Sequence, residues 1–382
     1  MENSKKSPTK NTILIIFSVY LFFIFGIFFF SENINSAEFI DGYLLGGDSK
    51  RYINGSIKIT NFELPEGKAS SYLGYIVYLS IFQYFGLNLS YVVISQIFLT
   101  ILSAICLYKI TKKLSSDIGG LFCVCLYLFY FPLQIRNFFI LTETIFICSL
   151  IFIIYFIVFY KKKYFPILIF FIIFYFFIRP HGILIIPSLF LAVIFWIFMK
   201  KKYKMLNIII LLLLFLSFPL YNFLNLHLEN MKIIENIVIG GVIYGYESKN
   251  NFLKFDTPSE INNNIKSLLI FLKLNFDTFV IGFFKKLYFF YFRVRPYYSE
   301  IHNLYLILFN FIYIPLAIFG FFKNNKSIRF YNYFFYSILI LFSLSIGLSF
   351  ADWSGRFSLY IMPILFIFSG IGLDKLRNNI LK

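Results

Sequence analysis

Runs of about 18 or more apolar residues recur along the whole chain, a length that carries a helix across the ~30 Å hydrocarbon core of a bilayer. A chain with that pattern is expected to fold as an all-α polytopic membrane protein. Composition agrees: hydrophobic residues make up 59% of the 382, against about 45–50% in soluble proteins. The 56 Phe and 29 Tyr replace much of the usual Leu and Ala. That is drift in lipid-facing positions, where any bulky apolar residue serves, and it carries no function.

Charge decides orientation. The net charge of +17 would suit a nucleic-acid partner, but the lysines and arginines sit at the ends of apolar runs, as the positive-inside rule requires. No nucleic acid is expected. The N-terminal "MENSKKSPTKN" sets Lys5, Lys6 and Lys10 before a run from Thr12 to Phe30. That run exceeds a signal-peptide h-region of ~7–15 residues, and no small-residue cleavage site follows it. It reads as an anchor entering from the cytoplasm. Residues 31–71 form a polar external loop with six acids and four bases. The stretch 72–88 is followed at once by 89–108, ending in "KITKK". As a spanning segment, 72–88 would place Lys109, Lys112 and Lys113 outside; as a short interfacial or re-entrant helix on the outer face, it places them inside.

With that parity, spans near 12–30, 89–108, 118–134, 138–160, 164–178, 182–199, 205–224, 303–322, 332–350 and 358–373 make ten. Both termini are cytoplasmic, and the membrane is the cytoplasmic (inner) one. Cytoplasmic segments then hold 19 Lys and Arg against 3 acids, external ones 16 against 15, an asymmetry that supports the topology. The large external regions are 31–88, with its interfacial helix, and 225–302, whose "FDTFVIGFFKKLYFFYFRVRPYYSEIHN" suits the outer interface. The chain, 1–382, reads as a single integral membrane domain without internal repeat, Walker loop or dinucleotide fingerprint. Cys106, Cys123, Cys125 and Cys148 all lie within apolar runs and read as buried thiols. His181, His227 and His302 are too scattered in sequence to suggest a metal site.

Under this topology the unusual polar residues gather on the outer face. They are Asp48 and Tyr52 of "GGDSKRYI", Arg136, Glu143 of "ILTETIF", Arg179 of "IRPHGIL", the cluster Lys285, Lys286, Arg293 and Arg295, and Arg356 of "DWSGRFSLY". Each has a plain structural reading beside the functional one. Asp48 suits a solvated loop carboxylate, and Arg179 and Arg356 suit snorkelling arginines at helix ends. Lys285 and Lys286 suit contacts with anionic headgroups. Glu143 lies within an apolar run, where an ionisable group is costly and functional by default, yet it equally suits a helix N-terminus. The whole pattern favours function: an acidic loop facing several bases near a membrane surface fits a reaction between a lipid phosphate and a hydroxyl. The bases would clamp the phosphate and the carboxylate would take the hydroxyl proton.

At these residues the chain resembles a family. "GDSKRYI" after the first span is similar to the first external loop of the C-type (GT-C) glycosyltransferase fold, which includes the protein mannosyltransferases and the lipid A aminoarabinose transferases. The resemblance continues through "GYIVYLSIFQYFGLNLSYVVISQIFLTILSAICLYKITKKL", "LTETIFI", "IRPHGILIIP" and "GRFSLYIMPILFIFSGIGL", leaving the region around 225–280 unmatched. It implies transfer of a sugar from a polyprenyl-phosphate donor, outside the cytoplasmic membrane, with inversion at the anomeric carbon. It also implies that Asp48 acts as base or orients the acceptor, and that Arg179 and Arg356 belong to the outer cavity. Ser49 stands where protein mannosyltransferases carry a second acid, which weighs against a protein acceptor. There is no Asp-x-Asp pair, so neither a divalent metal nor another cofactor is expected.

The chemistry is consistent. A phosphate leaving group needs charge neutralisation, whereas the acceptor hydroxyl needs a base, worth typically ~10²–10⁴-fold. Lys50 and Arg51 would then lie near the donor phosphate or the headgroups, with Lys285, Arg293 and Arg295 as further phosphate contacts and Tyr52, Arg136 and Glu143 in support. The expected partners are the lipid-linked sugar, membrane lipids, and an acceptor that is a glycan, a lipid or a protein. Two other readings stay open: a surface-polysaccharide polymerase, and a transporter or flippase of a lipid-linked saccharide. A transporter should show polar residues near the midplane and often an internal repeat.

Overall fold

The computed structural model describes residues 10–31, 38–205, 207, 240–246, 248, 251–256, 265–323 and 329–380. They fall into two compact units, one of Met1–Pro187, Phe311–Ser327 and Leu359–Lys382, the other of Ser188–Asn310 and Ile328–Ser358. Among the described residues the fold is largely helical, with four helices long and apolar enough to cross a membrane, or six if each of two bent pairs is one span. The expected span at 205–224, apart from 205 and 207, lies outside the described residues, as does His227.

In the first unit, α1 (Lys10–Ser31) buries Tyr20, Ile24 and Ile27, a single stripe at helical spacing, and leaves Phe22 82% exposed. Helix α4 (Ser90–Leu114) turns the opposite chemistry inward: Gln96, Thr100 and Ser103 are buried while Tyr91, Ile94 and Phe98 face out. Polar groups inside and apolar groups outside is the arrangement a lipid solvent selects. Between them lie a two-stranded hairpin, β1 (Glu38–Ile40) and β2 (Tyr43–Leu45), then α2 (Ser49–Thr60) and α3 (Leu73–Tyr84). At 12 residues α3 is only about 18 Å long, too short to cross.

The expected single span at 118–134 is broken in two. Helix α5 (Asp117–Phe129) ends where Tyr130 turns extended, and α6 (Phe131–Gln134) leaves at 59°. The extended Tyr130 ends the ladder, Pro132 has no N–H with which to resume it, and the Tyr127 carbonyl accepts from Gln134 Nε2 at 2.7 Å. A 3-10 turn (Ile135–Phe138) and an extended strap then lead to α7 (Glu143–Val158), so the span expected at 138–160 becomes helical only from Glu143. Helix α7 buries most of its residues, and it touches α4 and α8 (Phe165–Ile178).

Helix α9 (Ile185–Met199) continues a 3-10 turn and completes a candidate span over Pro180–Met199. In the second unit α10 (Ile265–Leu274) and α11 (Phe276–Phe292) meet at 94° and together satisfy the length and composition of a broken span or re-entrant loop. Asn275 pins the corner, exchanging two bonds with the Asp256 backbone at 2.7 and 2.9 Å and donating to the Phe271 carbonyl at 3.1 Å. Helix α11 lies on α13 (Phe330–Leu348). Residues 240–246, 251–253 and 349–352 add a small paired patch, Gly241 to Phe252 antiparallel and Ile243 to Ala351 parallel, over a core of Val242, Ile243 and Ala351. Helix α12 (Glu300–Lys323) contributes to both units.

The last helix, α14 (Met362–Ile380), closes the first unit by backbone contact. A Cβ on Gly370 would stand 2.4 Å from the Gly119 carbonyl oxygen of α5, and one on Gly320 of α12 would stand 1.9 Å from the Phe368 carbonyl oxygen. Glycines let helices approach this closely where lipid supplies no hydrophobic drive. Ser116 caps α5, accepting from the Gly119 N–H and donating to Asp374 at 2.6 Å.

Candidate functional site

Asp48 is the N-cap residue of α2, in the turn after the hairpin. Its carboxylate pairs with Arg51 at 3.1 Å, both side chains about one-third exposed. Such half-exposed pairs contribute about 0–1 kcal/mol, so the carboxylate is readily recruited elsewhere. The turn itself is fixed. Ser49, fully buried, accepts from the Gly46 N–H at 2.9 Å and donates to the Ile140 carbonyl at 3.0 Å. The Ile140 N–H in turn donates to the Leu44 carbonyl at 3.1 Å, where β2 bridges the strap in parallel at Phe139.

One turn along α2, Tyr52 is buried against Tyr72 and Tyr75. Its phenol is held well above its usual range, first by burial and then by the Glu143 carboxylate, with the Arg179 guanidinium opposing. Tyr52 therefore stays a neutral phenol within electrostatic reach of Glu143, Arg179 and Asp48. In that pair Arg179 Nη1 donates to Glu143 Oε1 and to Thr142 Oγ1, each at 2.9 Å. The side chains are 6% and 1% exposed. Glu143 also occupies the first turn of α7, where the helix dipole favours negative charge. The guanidinium lies 5.2 Å from the Tyr360 ring, and Tyr360 meets Phe146, which stacks on Tyr175. Three segments distant in sequence, 48–52, 142–143 and 179, thus converge with Tyr360 in one unit.

Behind them runs an amide network missed in the sequence. Asn137 donates to Gln134, which also accepts from Tyr20, and Asn137 Oδ1 accepts from Thr100 and Thr144, all at 2.8–3.0 Å. Gln96 donates to the Asn137 and Phe139 carbonyls at 2.9 and 3.1 Å, supporting the strap. Polar residues inside apolar runs, as in "ISQIF" and "LQIRN", were the available signal. Arg136 sits in the 3-10 turn with its guanidinium 5.4 Å from the Phe139 ring. A cleft of about 420 Å³ is lined chiefly by Ile24, Phe25 and Phe28 of α1 and Val93, Ile94 and Ile97 of α4, with Asp41 and Ser90 among its polar groups.

The second unit holds the other expected cations. Lys285 is exposed and Lys286 buried, its Nζ 3.5 Å from the Gly347 carbonyl at the end of α13. Arg293 ends α11 in the left-handed conformation and is buried. Arg295, 1% exposed, donates to the carbonyls of Phe289, Val294 and Asp352 at 2.7, 3.2 and 2.9 Å, so it braces the end of α11 against the loop of Arg356. Asp352 organises that loop, accepting from the Arg356 N–H at 2.8 Å, the Ser354 hydroxyl at 3.0 Å and Arg356 Nη2 at 3.4 Å. Burial pushes the Asp352 carboxyl up, but Arg356 and these bonds outweigh it and hold the group below the usual carboxylate range. Gly355 takes φ +65, and a Cβ there would stand 3.0 Å from Arg293 Nε.

The two constellations therefore belong to different units. Asp48, Tyr52, Arg136, Glu143 and Arg179 lie in the first, and Lys285, Arg293, Arg295 and Arg356 in the second. Among the described residues no three His, Cys, Asp or Glu side chains converge as metal ligands would. The chain matches no protein-family model, no curated protein and no solved structure.

Proposed function

We propose that the chain is a glycosyltransferase of the C-type fold that moves a sugar from a polyprenyl-phosphate donor to an acceptor hydroxyl on the outer side of the cytoplasmic membrane. The observation that carries the reading is a fixed turn presenting the Asp48 carboxylate one helical turn from Tyr52, beside the buried Arg179–Glu143 pair. A general base needs a positioned carboxylate with an exchangeable partner, and Arg51 is such a partner. In the reaction Asp48 takes the acceptor proton, and the acceptor oxygen attacks the anomeric carbon. The bond from that carbon to the phosphate oxygen breaks, and its electron pair leaves with the phosphate, giving inversion.

Arg51, about one-third exposed beside Asp48, is the neutralising cation of the first unit, whereas the buried Arg179 is held by Glu143. The α1–α4 cleft suits an isoprenoid tail, being almost wholly apolar along its walls. Of the second unit's cations, Lys285 and Arg356 have the exposure to meet an anionic group, whereas Arg295 is spent on carbonyls. The enzyme spans the membrane ten times with both ends cytoplasmic.

The test uses purified full-length protein in detergent with a labelled polyprenyl-phosphate sugar and a membrane acceptor fraction. Asp48→Asn keeps shape but cannot take the proton, so turnover should fall ~10²-fold or more with donor binding nearly unchanged. Asp41→Asn is the control, because Asp41 holds φ 42 in the hairpin turn and Asn tolerates that region equally well. Near-normal turnover by Asp48→Asn, or efficient transfer from a soluble nucleotide sugar without lipid, sinks the reading.

A further inference from the structure

In the second unit Tyr297 and Trp353 stack face to face, with 3.9 Å between ring centroids and 8° between planes. Tyr246 closes on both, at 5.1 and 5.9 Å. Trp353 nevertheless keeps 42% of its surface exposed. The stack is held from below: the Tyr297 hydroxyl donates to the Trp353 carbonyl, and buried Asn251 binds the Ile243 N–H and the carbonyls of Ile243 and Tyr246 at 2.6–2.8 Å. Arg356, three residues beyond Trp353, is oriented by Asp352 and leaves 24% of its side chain exposed.

We propose that this stack is a saccharide platform that receives the acceptor glycan, an inference that rests on the transferase reading above. A pyranose ring presents a flat face of C–H groups edged by hydroxyls. The C–H face matches a broad, rigid aromatic surface, and the hydroxyls match a guanidinium at its edge. Ordering the rings beforehand removes the entropy cost of fixing them around a ligand. A tryptophan that only anchored the chain among headgroups would gain nothing from a tyrosine covering one face or from a carboxylate setting the adjacent arginine.

The chain has two tryptophans, Trp196 and Trp353, so Trp196→Phe leaves Trp353 as the sole indole reporter. In that background the full-length protein, in detergent and in lipid nanodiscs, is titrated with maltohexaose, cellohexaose and chitohexaose, without donor. At least one should give a saturable change in indole emission with a Kd at or below about 1 mM. Tyr297→Ala should weaken it at least tenfold, while Tyr297→Phe, which keeps the ring, should retain it and shows that the unit still folds. No saturable response to any of the three overturns the platform, as does quenching of Trp353 by brominated acyl chains, which would make it a lipid anchor. The two readings fail separately: saccharide binding without sugar transfer leaves the platform and removes the transferase, and transfer with a silent Trp353 does the reverse.

Discussion

Arg179 and Glu143 show how one pair of charges can be affordable inside an apolar unit. Each is nearly inaccessible, and each has the other at 2.9 Å. Removing one partner of such a pair strands the other and costs about 3–5 kcal/mol, whereas exchanging both for apolar groups is often close to neutral. Glu143→Gln and Arg179→Gln should therefore each lower the thermal midpoint of the detergent-solubilised protein sharply. Glu143→Leu combined with Arg179→Met should recover much of the loss. Arg51→Gln, at the half-exposed pair, should move the midpoint little. Equal, small effects from all of these, read by fluorescence-detected size exclusion after heating, would show that the buried pair stabilises nothing. The two charges were legible as anomalies in apolar runs. Their pairing was not, because 36 residues separate them and hydropathy carries no information on which helix ends meet.

Helices were the most legible level, and their breaks the least. The long apolar runs at 89–108, 182–199, 303–322 and 332–350 all correspond to helices long enough to cross. The corners at Tyr130 and Asn275 were missed because hydropathy reads length and polarity, and a bent segment has the same composition as a straight one. The hairpin at 38–45 was equally hidden in a loop of mixed character. Glycines were unmarked too, although Gly119, Gly320 and Gly370 allow α5, α12 and α14 to touch by backbone. Gly370→Val forces atoms into the Gly119 carbonyl and should cost about 1–3 kcal/mol or more, seen as lost monodisperse yield. Gly26→Val, on α1 with nothing within 4 Å of its Cβ position, should leave yield unchanged. A well-behaved Gly370→Val protein would mean that α14 does not need this close approach.

At the level of the whole molecule, the distribution of lysines carries the proposed topology. The parity turns on whether 72–88 crosses, and α3 is not among the helices long and apolar enough to do so. Reporter fusions placed after Lys113, Lys202 and Lys382 should all report cytoplasm. An external signal at Lys113 would invert the parity of every later span. The candidate site was legible in part: Asp48, Tyr52, Glu143 and Arg179 do come together, while Arg295 turned out to hold carbonyls. An arginine that braces a loop and one that meets a phosphate look alike in sequence, since both are single charges beside aromatic residues. Only the positions of the Phe289 and Asp352 carbonyls separate the two roles.

The turn that bears Asp48 is stitched to the strap before α7 by Ser49 and by the bond between Ile140 and Leu44. A carboxylate held in this way has no slow rearrangement left to make when a molecule arrives. If Asp48 is the proposed base, capture there should follow encounter in a single phase, with an observed rate that rises linearly with ligand concentration and an intercept set by escape.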